Sequence, residues 1–349
     1  KYTTNSAGEI LIDGITPGTT VVVREIRAKT GYLLDGTPQS ALIKSGETAR
    51  LEFRNAPAGT LIIQKNSSGA GHEPLHAGFV GKGMLDAAIS GNVFSSPSPD
   101  RIGSAIEQVS CGKGVLMVIK NYSGDIMNFG LSADLAEMDD IEVAQVIVKD
   151  DVAVPDREEG TGRRGIAGTV FVHKIAGAKA EQGASLAEVK AAAEKAVRNI
   201  RTMGVAMTPC ILPAVGKPGF QIADDEIEIG MGIHGEKGIT VEKMMTADRI
   251  SEILMEKLLA DLPLEAGDEV SVLVNGLGGT PAEELFIVYR RVAQILGERG
   301  VKIFMPHVGE FATSMEMAGL SVTLFKLDRE LKELLRAPAS TPFYTNANK

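Results

Sequence analysis

The stretch Val115-Leu116-Met117-Val118-Ile119-Lys120, followed directly by Asn121-Tyr122-Ser123-Gly124-Asp125, decides the fold class. Its first half is an apolar run of strand length, and its second half is a polar turn that contains glycine. Similar apolar runs recur along the chain and alternate with segments of helical character. The sequence therefore predicts a protein in which strands and helices alternate.

This alternation continues from residue 67 almost to the end of the chain. The predicted strands are Gly114–Lys120, Ile141–Val148, Gly204–Leu212, Glu226–His234, Glu269–Asn275, Val301–Met305 and Leu320–Leu327. The predicted helices are Asp134–Met138, Gly168–Glu181, Leu186–Met203, Ala247–Leu262, Pro281–Arg299 and Asp328–Leu335. The pattern is typical of the α/β class, with layered sheets covered by helices.

A change in composition separates the first 66 residues from the rest. All 13 Met residues lie between Met84 and Met317, and no His precedes His72. The first segment consists of short β-branched runs between glycine and proline turns, which is typical of a β-sandwich. Its predicted strands are Glu9–Asp13, Thr19–Ile26, Ser40–Lys44, Thr48–Arg54 and Thr60–Gln64.

We expect three domains: residues 1–66 as an all-β segment, 67–185 as a first α/β lobe and 186–344 as a second α/β lobe. Ser185 followed by Glu188 matches the capping box that begins a helix. The helix that follows is rich in Ala, Lys and Glu, which suits a helix bridging two lobes. The boundary between the lobes is therefore placed there.

Composition excludes several classes of protein. The 349 residues carry a net charge of −9 without a Lys/Arg block, so we expect no nucleic acid partner. No apolar run is long enough to cross a bilayer, so we expect no membrane segment. Cys111 and Cys210 lie far apart without metal-ligand spacing, which favours reduced thiols and a cytoplasmic location and leaves one long-range bridge open. The chain opens at Lys1 without Met, which we interpret as a fragment or a processed end.

Four polar motifs follow predicted strands or lie in glycine-rich loops. Glycine at a strand end lets backbone N–H groups approach a ligand, and ligands of open α/β sheets bind at the carboxyl ends of strands. The sequence therefore indicates four candidate binding loops. They are Gly69-Ala70-Gly71-His72-Glu73-Pro74, Lys120-Asn121-Tyr122-Ser123-Gly124-Asp125, Gly230-Met231-Gly232-Ile233-His234-Gly235-Glu236 and Asn275-Gly276-Leu277-Gly278-Gly279-Thr280-Pro281.

The residues alone leave alternatives open in these loops. His234 ends an alternating strand and is either a functional imidazole or a hydrogen-bonded structural residue. Asp125 is either a functional carboxylate or a turn or helix-capping residue. His72 and His76 are separated by Pro74 and lack the spacing of a zinc site, so no protein-bound metal is expected.

Two further features bear on the binding of anions such as phosphate. The glycine-rich segment after Asn275 lacks the Gly-Lys-Ser/Thr ending of a P-loop, and no P-loop occurs elsewhere. The basic pair Arg163-Arg164 lies in a glycine-flanked loop, where it either meets an anion or a partner or, as is usual for such pairs, is solvated.

The first segment resembles the Cna-B-type, prealbumin-like repeats of Gram-positive surface adhesins. The matching stretches are Gly14-Ile15-Thr16-Pro17-Gly18-Thr19, residues 23–32 and Phe53-Arg54-Asn55. In that family a strand Lys and a late Asn form an isopeptide bond with the help of a buried, protonated Glu. The resemblance implies Glu25 as this Glu and Asn55 as the acceptor, with the Lys expected before Lys1. The alternative is a solvated Glu25 and a turn residue at Asn55.

From Gly69 to about Tyr344 the chain resembles the dihydroxyacetone-binding subunits of bacterial dihydroxyacetone kinases that use the phosphotransferase system. The four motifs occur in the order that this family shows. The resemblance implies a two-lobed α/β fold in which His234 binds the carbonyl carbon of dihydroxyacetone as a hemiaminal. It further implies Asp125 as general base and His72 as a second acid/base group. The implied substrate-binding residues are Gly69, Ala70, Gly71, His72, Lys120 and Asp125.

The resemblance also implies the partners. No cofactor is expected in this chain, because ADP and magnesium belong to a kinase subunit that docks over the triose and is rephosphorylated by a phosphocarrier. A homodimer is expected as well. The lack of a P-loop in this chain agrees with a nucleotide that is bound by the partner subunit.

Two departures from the family leave other functions open. Asn66-Ser67-Ser68-Gly69-Ala70-Gly71 stands where the family usually shows three glycines and a serine before His72, and the family's leading segment is replaced by the adhesin-like one. Thr60–Gln64 is either the first strand of a further adhesin repeat or a replacement for the missing strand of the first lobe. We interpret the junction as a truncated fusion or an assembly error. The alternative functions are a non-catalytic dihydroxyacetone-sensing subunit, an inactive chimeric fragment, or an adhesin with an α/β passenger.

Overall fold

The computed structural model describes residues 2–5, 9–26, 37–53, 71–156 and 162–347, and the main chain alone for 60–64. The chain divides into two compact units, Lys1–Ala58 and Gly59–Lys349. The predicted boundaries after residues 66 and 185 stay predictions.

The described part of the first unit contains β1 (Thr20–Val23) and β2 (Gln39–Leu42), which pair antiparallel. The prediction of strands at Glu9–Asp13 and Thr48–Arg54 is wrong for the residues described there, and Arg54 lies outside them. Leu11 is 76% exposed, and most residues of these two segments are exposed as well. Without a buried face, alternating hydrophobicity does not fix a ladder partner.

The second unit is built from the following elements. Its strands are β3 (Thr60–Gln64), β4 (Ala87–Ile89), β5 (Val115–Lys120), β6 (Val143–Val148), β7 (Ile200–Ala206), β8 (Ile211–Leu212), β9 (Lys217–Pro218), β10 (Glu226–Ile229), β11 (Thr240–Lys243), β12 (Glu269–Gly276), β13 (Lys302–Gly309), β14 (Gly319–Leu327), β15 (Ala339–Ser340) and β16 (Thr345–Asn346). Its helices are α1 (Pro99–Val109), α2 (Ser123–Met138), α3 (Thr169–Glu181), α4 (Leu186–Arg198), α5 (Ala247–Asp261), α6 (Ala282–Glu298) and α7 (Arg329–Arg336).

Two larger sheets organise this unit. One has the order β4-β3-β5-β6 and is parallel throughout. The other has the order β11-β10-β7-β14-β12-β13, in which only β12 and β13 run parallel. The mixed α/β architecture predicted from the alternation is confirmed.

The first sheet is covered on both faces, which explains why β5 is apolar from Val115 to Ile119. Val115, Met117 and Ile119 pack with α1 and α2, whereas Leu116 and Val118 belong to the core around α3 and α4. The core around α3 extends to the second sheet, and α5 and α6 cover the opposite face of that sheet. A helical layer therefore lies between the two sheets.

Strand β3 occupies an interior position of the first sheet. Its main chain pairs with β4 through Ile62–Gln64 and with β5 through Thr60–Ile63. Of the two predictions for Thr60–Gln64, the replacement strand of the α/β sheet is therefore confirmed. The position between two strands satisfies hydrogen-bonding groups on both edges of β3, which an isolated repeat strand would leave open.

Two predicted elements need correction. The helix predicted as Leu186–Met203 ends at Arg198, because the chain turns at Asn199 and continues as β7. The strand predicted as Gly204–Leu212 is the end of β7 followed by the short β8. The predicted capping box is present: the Ser185 and Glu188 side chains each accept from the other's backbone N–H.

Both cysteines are free thiols, so the long-range bridge that the sequence left open does not form. Among the helices described, none is long and apolar enough to cross a membrane.

Candidate functional site

Strand β5 and helix α2 place two of the predicted residues. Lys120 is the last residue of β5, and Asp125 lies in the first turn of α2. Both side chains are fully buried, and the Ser96 hydroxyl donates to Asp125 Oδ1 at 2.6 Å. The predicted helix Asp134–Met138 is only the end of α2, which begins at Ser123. Asp125 is thus held at a helix N-terminus without being the N-cap residue, which is Tyr122.

His72 lies in the loop after β3 and is fully buried. Its Nδ1 donates to the Thr313 carbonyl at 2.6 Å, and the Thr313 N–H donates to the His72 carbonyl at 3.3 Å. These two contacts fix the ring in one orientation. Because Nδ1 carries the proton, Nε2 of the neutral ring is a hydrogen-bond acceptor.

His234 lies in the loop between β10 and β11, and the prediction that a strand reaches this residue is wrong. Strand β10 ends at Ile229, because Gly230 adopts a φ of +82° that ends an extended strand. Glu236 holds the imidazole in this loop: His234 Nδ1 donates to its Oε1 at 2.6 Å, and the His234 N–H donates to its Oε2 at 2.9 Å. With Nδ1 as the hydrogen-bond donor, Nε2 is the unprotonated nitrogen of the neutral His234 ring.

Three aromatic rings surround the imidazole of His234. The ring centroids of His72 and Tyr122 lie 4.8 Å from it, and that of Phe94 lies 5.2 Å away. All three meet it at steep angles, and Phe94 also stacks on His72. Lys120 Nζ lies 5.7 Å from the Tyr122 centroid, which joins the β5 end to the same cluster. The structure therefore brings His72, Lys120 and His234 together.

Burial and charge tune the ionisable groups of this cluster. Burial lowers the pKa of His234, and Lys120 and Arg164 act in the same direction, although Glu236 opposes them. Burial favours the protonated form of Glu236, but its contacts with His234 outweigh burial and hold the pKa of Glu236 at about 2. Burial raises the pKa of Tyr122 well above its usual value. The site therefore presents a neutral imidazole beside an ionised carboxylate at neutral pH.

Not every predicted residue falls within the part described. Gly69, Ala70 and Asn55 lie outside the described residues. Gly71 is described, with a φ of +103° and an N–H that donates to Glu73 at 2.8 Å. Glu25 is half-buried, and its role in an isopeptide bond stays a prediction. Among the described residues, no group of three or more His, Cys, Asp or Glu forms a metal-binding cluster.

Sequence reasoning missed four residues of the site. Glu236 and Tyr122 stand inside the quoted motifs, so the proximity of Glu236 to His234 in the chain was an available signal. Phe94 and Ser96 belong to no motif, and only the packing of the loop before α1 against the site reveals them.

The expectation that Arg163 and Arg164 are solvated is wrong. Each is only 8% exposed, and each pairs with a carboxylate inside the protein, Arg163 with Asp261 and Arg164 with Asp151. A second histidine pair, His76 and His173, is also buried, with Nδ1 and Nε2 2.7 Å apart. These pairs are features that no local spacing indicated.

Comparisons with known proteins agree with this architecture. The Dak1 domain family matches residues 50–343, and a prealbumin-like fold domain matches residues 1–57. The dihydroxyacetone-binding subunit DhaK of PTS-dependent dihydroxyacetone kinase 1 from Listeria innocua is 47% identical over 88% of this chain and 98% of its own. The corresponding PEP-dependent subunit of Escherichia coli is 38% identical over 82% of this chain and 88% of its own.

Solved structures show the same relationship. The dihydroxyacetone kinase operon co-activator DhaQ superimposes with a TM-score of 0.78, at 36% identity, over 83% of this chain and 90% of its own. The dihydroxyacetone kinase of C. freundii superimposes with a TM-score of 0.75, at 36% identity, over 85% of this chain and 55% of its own.

Fold and side-chain geometry together define an α/β protein with a buried cluster that contains His72, Lys120 and His234. The chain belongs to the Dak1 domain family, and its first unit matches the prealbumin-like fold.

Proposed function

We propose that this chain is the substrate-binding subunit of a dihydroxyacetone kinase. The observation that carries the proposal is the contact between His72 and His234, whose ring centroids lie 4.8 Å apart in a buried cluster that includes Lys120. Its relatives named as dihydroxyacetone-binding subunits support the choice of ligand. Burying two imidazoles and a lysine side chain costs free energy, which favours a functional reason for this cluster.

Covalent capture by His234 follows from its surroundings. The neutral Nε2 attacks the carbonyl carbon of dihydroxyacetone, a C–N bond forms as the C=O π bond opens, and the oxygen takes a proton from the imidazolium form of His72. The Nδ1 proton of the ring passes towards Glu236, so the product is a neutral hemiaminal and no group leaves. A small triose offers few contacts, and the covalent bond supplies the positioning that these contacts could not. Glycerol has no carbonyl carbon and is rejected.

His72 assists at the oxygen of the ligand. With Nδ1 bound to Thr313, its Nε2 accepts a hydrogen bond from a substrate hydroxyl when the ring is neutral. Only as the imidazolium does it donate a proton to the carbonyl oxygen. Gly69, Ala70, Gly71 and Lys120 complete the substrate contacts in this proposal.

Asp125 is the proposed general base for phosphoryl transfer. Ser96 fixes one carboxylate oxygen, and the carboxylate accepts the proton of the substrate hydroxyl as this hydroxyl attacks phosphorus. The nucleotide and magnesium belong to the partner in this proposal, an ADP-binding kinase subunit that a phosphocarrier recharges. This chain contributes the bound triose and the base.

Dihydroxyacetone labelled with ¹³C at its carbonyl carbon tests the covalent step. On binding, we expect its signal to move from the ketone region to that of a saturated carbon bearing nitrogen and oxygen. The His234→Ala variant should lose this signal. An unchanged hemiaminal signal in that variant would remove His234 from the mechanism.

The Asp125→Asn variant separates binding from turnover. It should keep the hemiaminal signal but lower dihydroxyacetone phosphate formation by about 10²- to 10⁴-fold, the usual range for a lost general base. The assay adds the ADP-loaded partner and its phosphocarrier. Equal loss of hemiaminal and turnover would instead give Asp125 a structural role.

A sensing function is the second candidate, because the operon co-activator superimposes as well as the kinase does. The same partner assay distinguishes the two. Hemiaminal formation without any dihydroxyacetone phosphate would identify a sensor.

The proposal also includes a cytoplasmic location and a homodimer. Sedimentation equilibrium of the full chain checks the homodimer, since a monomer at micromolar concentration would contradict it.

A further inference from the structure

Arg163 and Arg164 are neighbours in the chain but serve different parts of the molecule. Arg163 Nη1 donates to Asp261 Oδ1 at 2.9 Å, and its Nε donates to the Val154 carbonyl at 3.2 Å. These contacts attach it to the end of α5. Arg164 points instead to the loop that carries His234.

Arg164 contacts this loop on both sides of His234. Its Nη2 donates to the Gly230 carbonyl at 2.8 Å, and its Nη1 donates to the Glu236 carbonyl at 3.4 Å. Gly230 begins the turn out of β10, and Glu236 is the residue that holds the His234 imidazole. One guanidinium therefore ties the start of the loop to the segment that orients the imidazole.

A buried carboxylate fixes the guanidinium itself. Asp151 is fully buried; its Oδ2 accepts a hydrogen bond from Arg164 Nε at 2.7 Å and forms an ion pair with Arg164 Nη2, also at 2.7 Å. The Ala153 N–H donates to its Oδ1 at 2.9 Å. With both carboxylate oxygens engaged, Asp151 leaves Arg164 one orientation.

Gly232 provides the space for this arrangement. A Cβ atom at this position would lie 2.2 Å from Glu236 Oε2 and 2.6 Å from Arg164 Nη1. Glycine at position 232 thus leaves room for the Glu236 carboxylate and the Arg164 guanidinium, and a larger residue there would displace them.

We propose that Arg164, held by Asp151, is a positioning residue that sets the conformation of the His234 loop and so the direction of the His234 nucleophilic nitrogen. This inference rests on the proposed function in one respect: it takes His234 as the residue that attacks the carbonyl carbon. The planar fork of Arg164 spans Asp151, Gly230 and Glu236 at once, which a lysine ammonium cannot do.

The test compares R164K with R163K. Both variants keep the charge, both replace an arginine of equal exposure, and both weaken an internal ion pair. We expect R164K to slow hemiaminal formation about 10- to 100-fold, the effect of a small misplacement of a reacting group. R163K should leave the rate essentially unchanged, even if it loses comparable thermal stability.

The ¹⁵N signals of the His234 ring provide a second readout without any substrate. In R164K we expect the Nδ1-protonated tautomer to lose its dominance, and in R163K we expect it to persist. If R164K does not fold, Asp151→Asn serves the same comparison, because it keeps one oxygen acceptor for Arg164 but removes the charge.

The outcomes separate the two proposals. A wild-type chain that forms no hemiaminal would contradict the proposed function, and the His234 signals would still decide the role of Arg164. The positioning role would be overturned if R164K showed the His234 signals of the wild type and an unchanged rate of hemiaminal formation. The same results in Asp151→Asn would overturn it if that variant replaces R164K.

Discussion

At the scale of single residues, the two ring nitrogens of His234 have different roles. Nδ1 is committed to Glu236, and the low pKa of Glu236 keeps that carboxylate an acceptor across the physiological range. Burial keeps the imidazole neutral, so Nε2 retains its lone pair. The pair resembles other carboxylate-oriented imidazoles, in which the acceptor fixes the tautomer.

The Glu236→Gln variant should show this division directly. The amide oxygen can still accept from Nδ1, but the negative charge that raises the His234 pKa is gone, so this pKa should fall further. Hemiaminal formation should slow by about 10-fold, because positive charge that develops on the ring loses its counter-ion. NMR titration of the His234 ring measures the first effect, and the ¹³C signal measures the second. A His234 pKa that rises or stays constant would contradict the assignment.

At the scale of elements, we expect a methyl group added at two different helical glycines to change the stability of the protein in opposite directions. Gly130 lies within α2, and apart from its chain neighbours and the nearby helix backbone no described atom lies within 4 Å of a Cβ built there. Gly177 lies within α3, where such a Cβ would lie 2.3 to 2.6 Å from the Met84 backbone. Gly130→Ala should therefore stabilise the protein by about 1 kcal/mol, and Gly177→Ala should destabilise it because backbone must move. Urea denaturation measures both, and equal signs would contradict the packing described for α3.

The same elements show what sequence could predict. The start of α4 followed from Ser185 and Glu188, because a capping box is local chemistry. The ends of α4 and β10 did not follow, since they depend on tertiary strand pairing and on one positive φ. Helix α1 was not predicted at all, and its buried contacts are with neighbouring elements.

Some residues of the candidate site could likewise be predicted from the sequence, and others could not. His72, Asp125 and His234 stood out because rare, ionisable residues occurred among glycines. Phe94 and Arg164 act through packing between segments far apart in sequence, and no spacing rule encodes such contacts.

At the scale of the whole second unit, the site depends on both sheets. Lys120 comes from the end of β5 in the parallel sheet, and His234 comes from the loop after β10 in the mixed sheet. Strand β3, at the start of the second unit, lies between β4 and β5 and pairs with both, so it supports the strand that carries Lys120. Thr60–Gln64, which the sequence placed within residues 1–66, thus contributes a strand to the sheet that carries Lys120.

His307 predicts how the stability of this unit depends on pH. It lies among Phe171, Phe311 and Tyr344, and its Nε2 lies 3.1 Å from the Tyr344 hydroxyl. Burial lowers its pKa to about 4 from the usual 6.5. Between these two values the unfolded chain binds a proton that the folded chain does not, so this group adds stability as pH rises from 4 to 6.5.

Comparison with His307→Gln isolates this contribution, because Asp150 and Asp151, whose pKa values burial raises, act with the opposite sign in both proteins. The stability of the wild type relative to the variant should fall by roughly 1 to 3 kcal/mol between pH 6.5 and pH 4, after allowance for partial solvent contact. Urea denaturation at each pH measures the difference. A difference that does not change with pH would mean that His307 titrates normally in the folded protein, and the packing around it would then be more open than the structure shows.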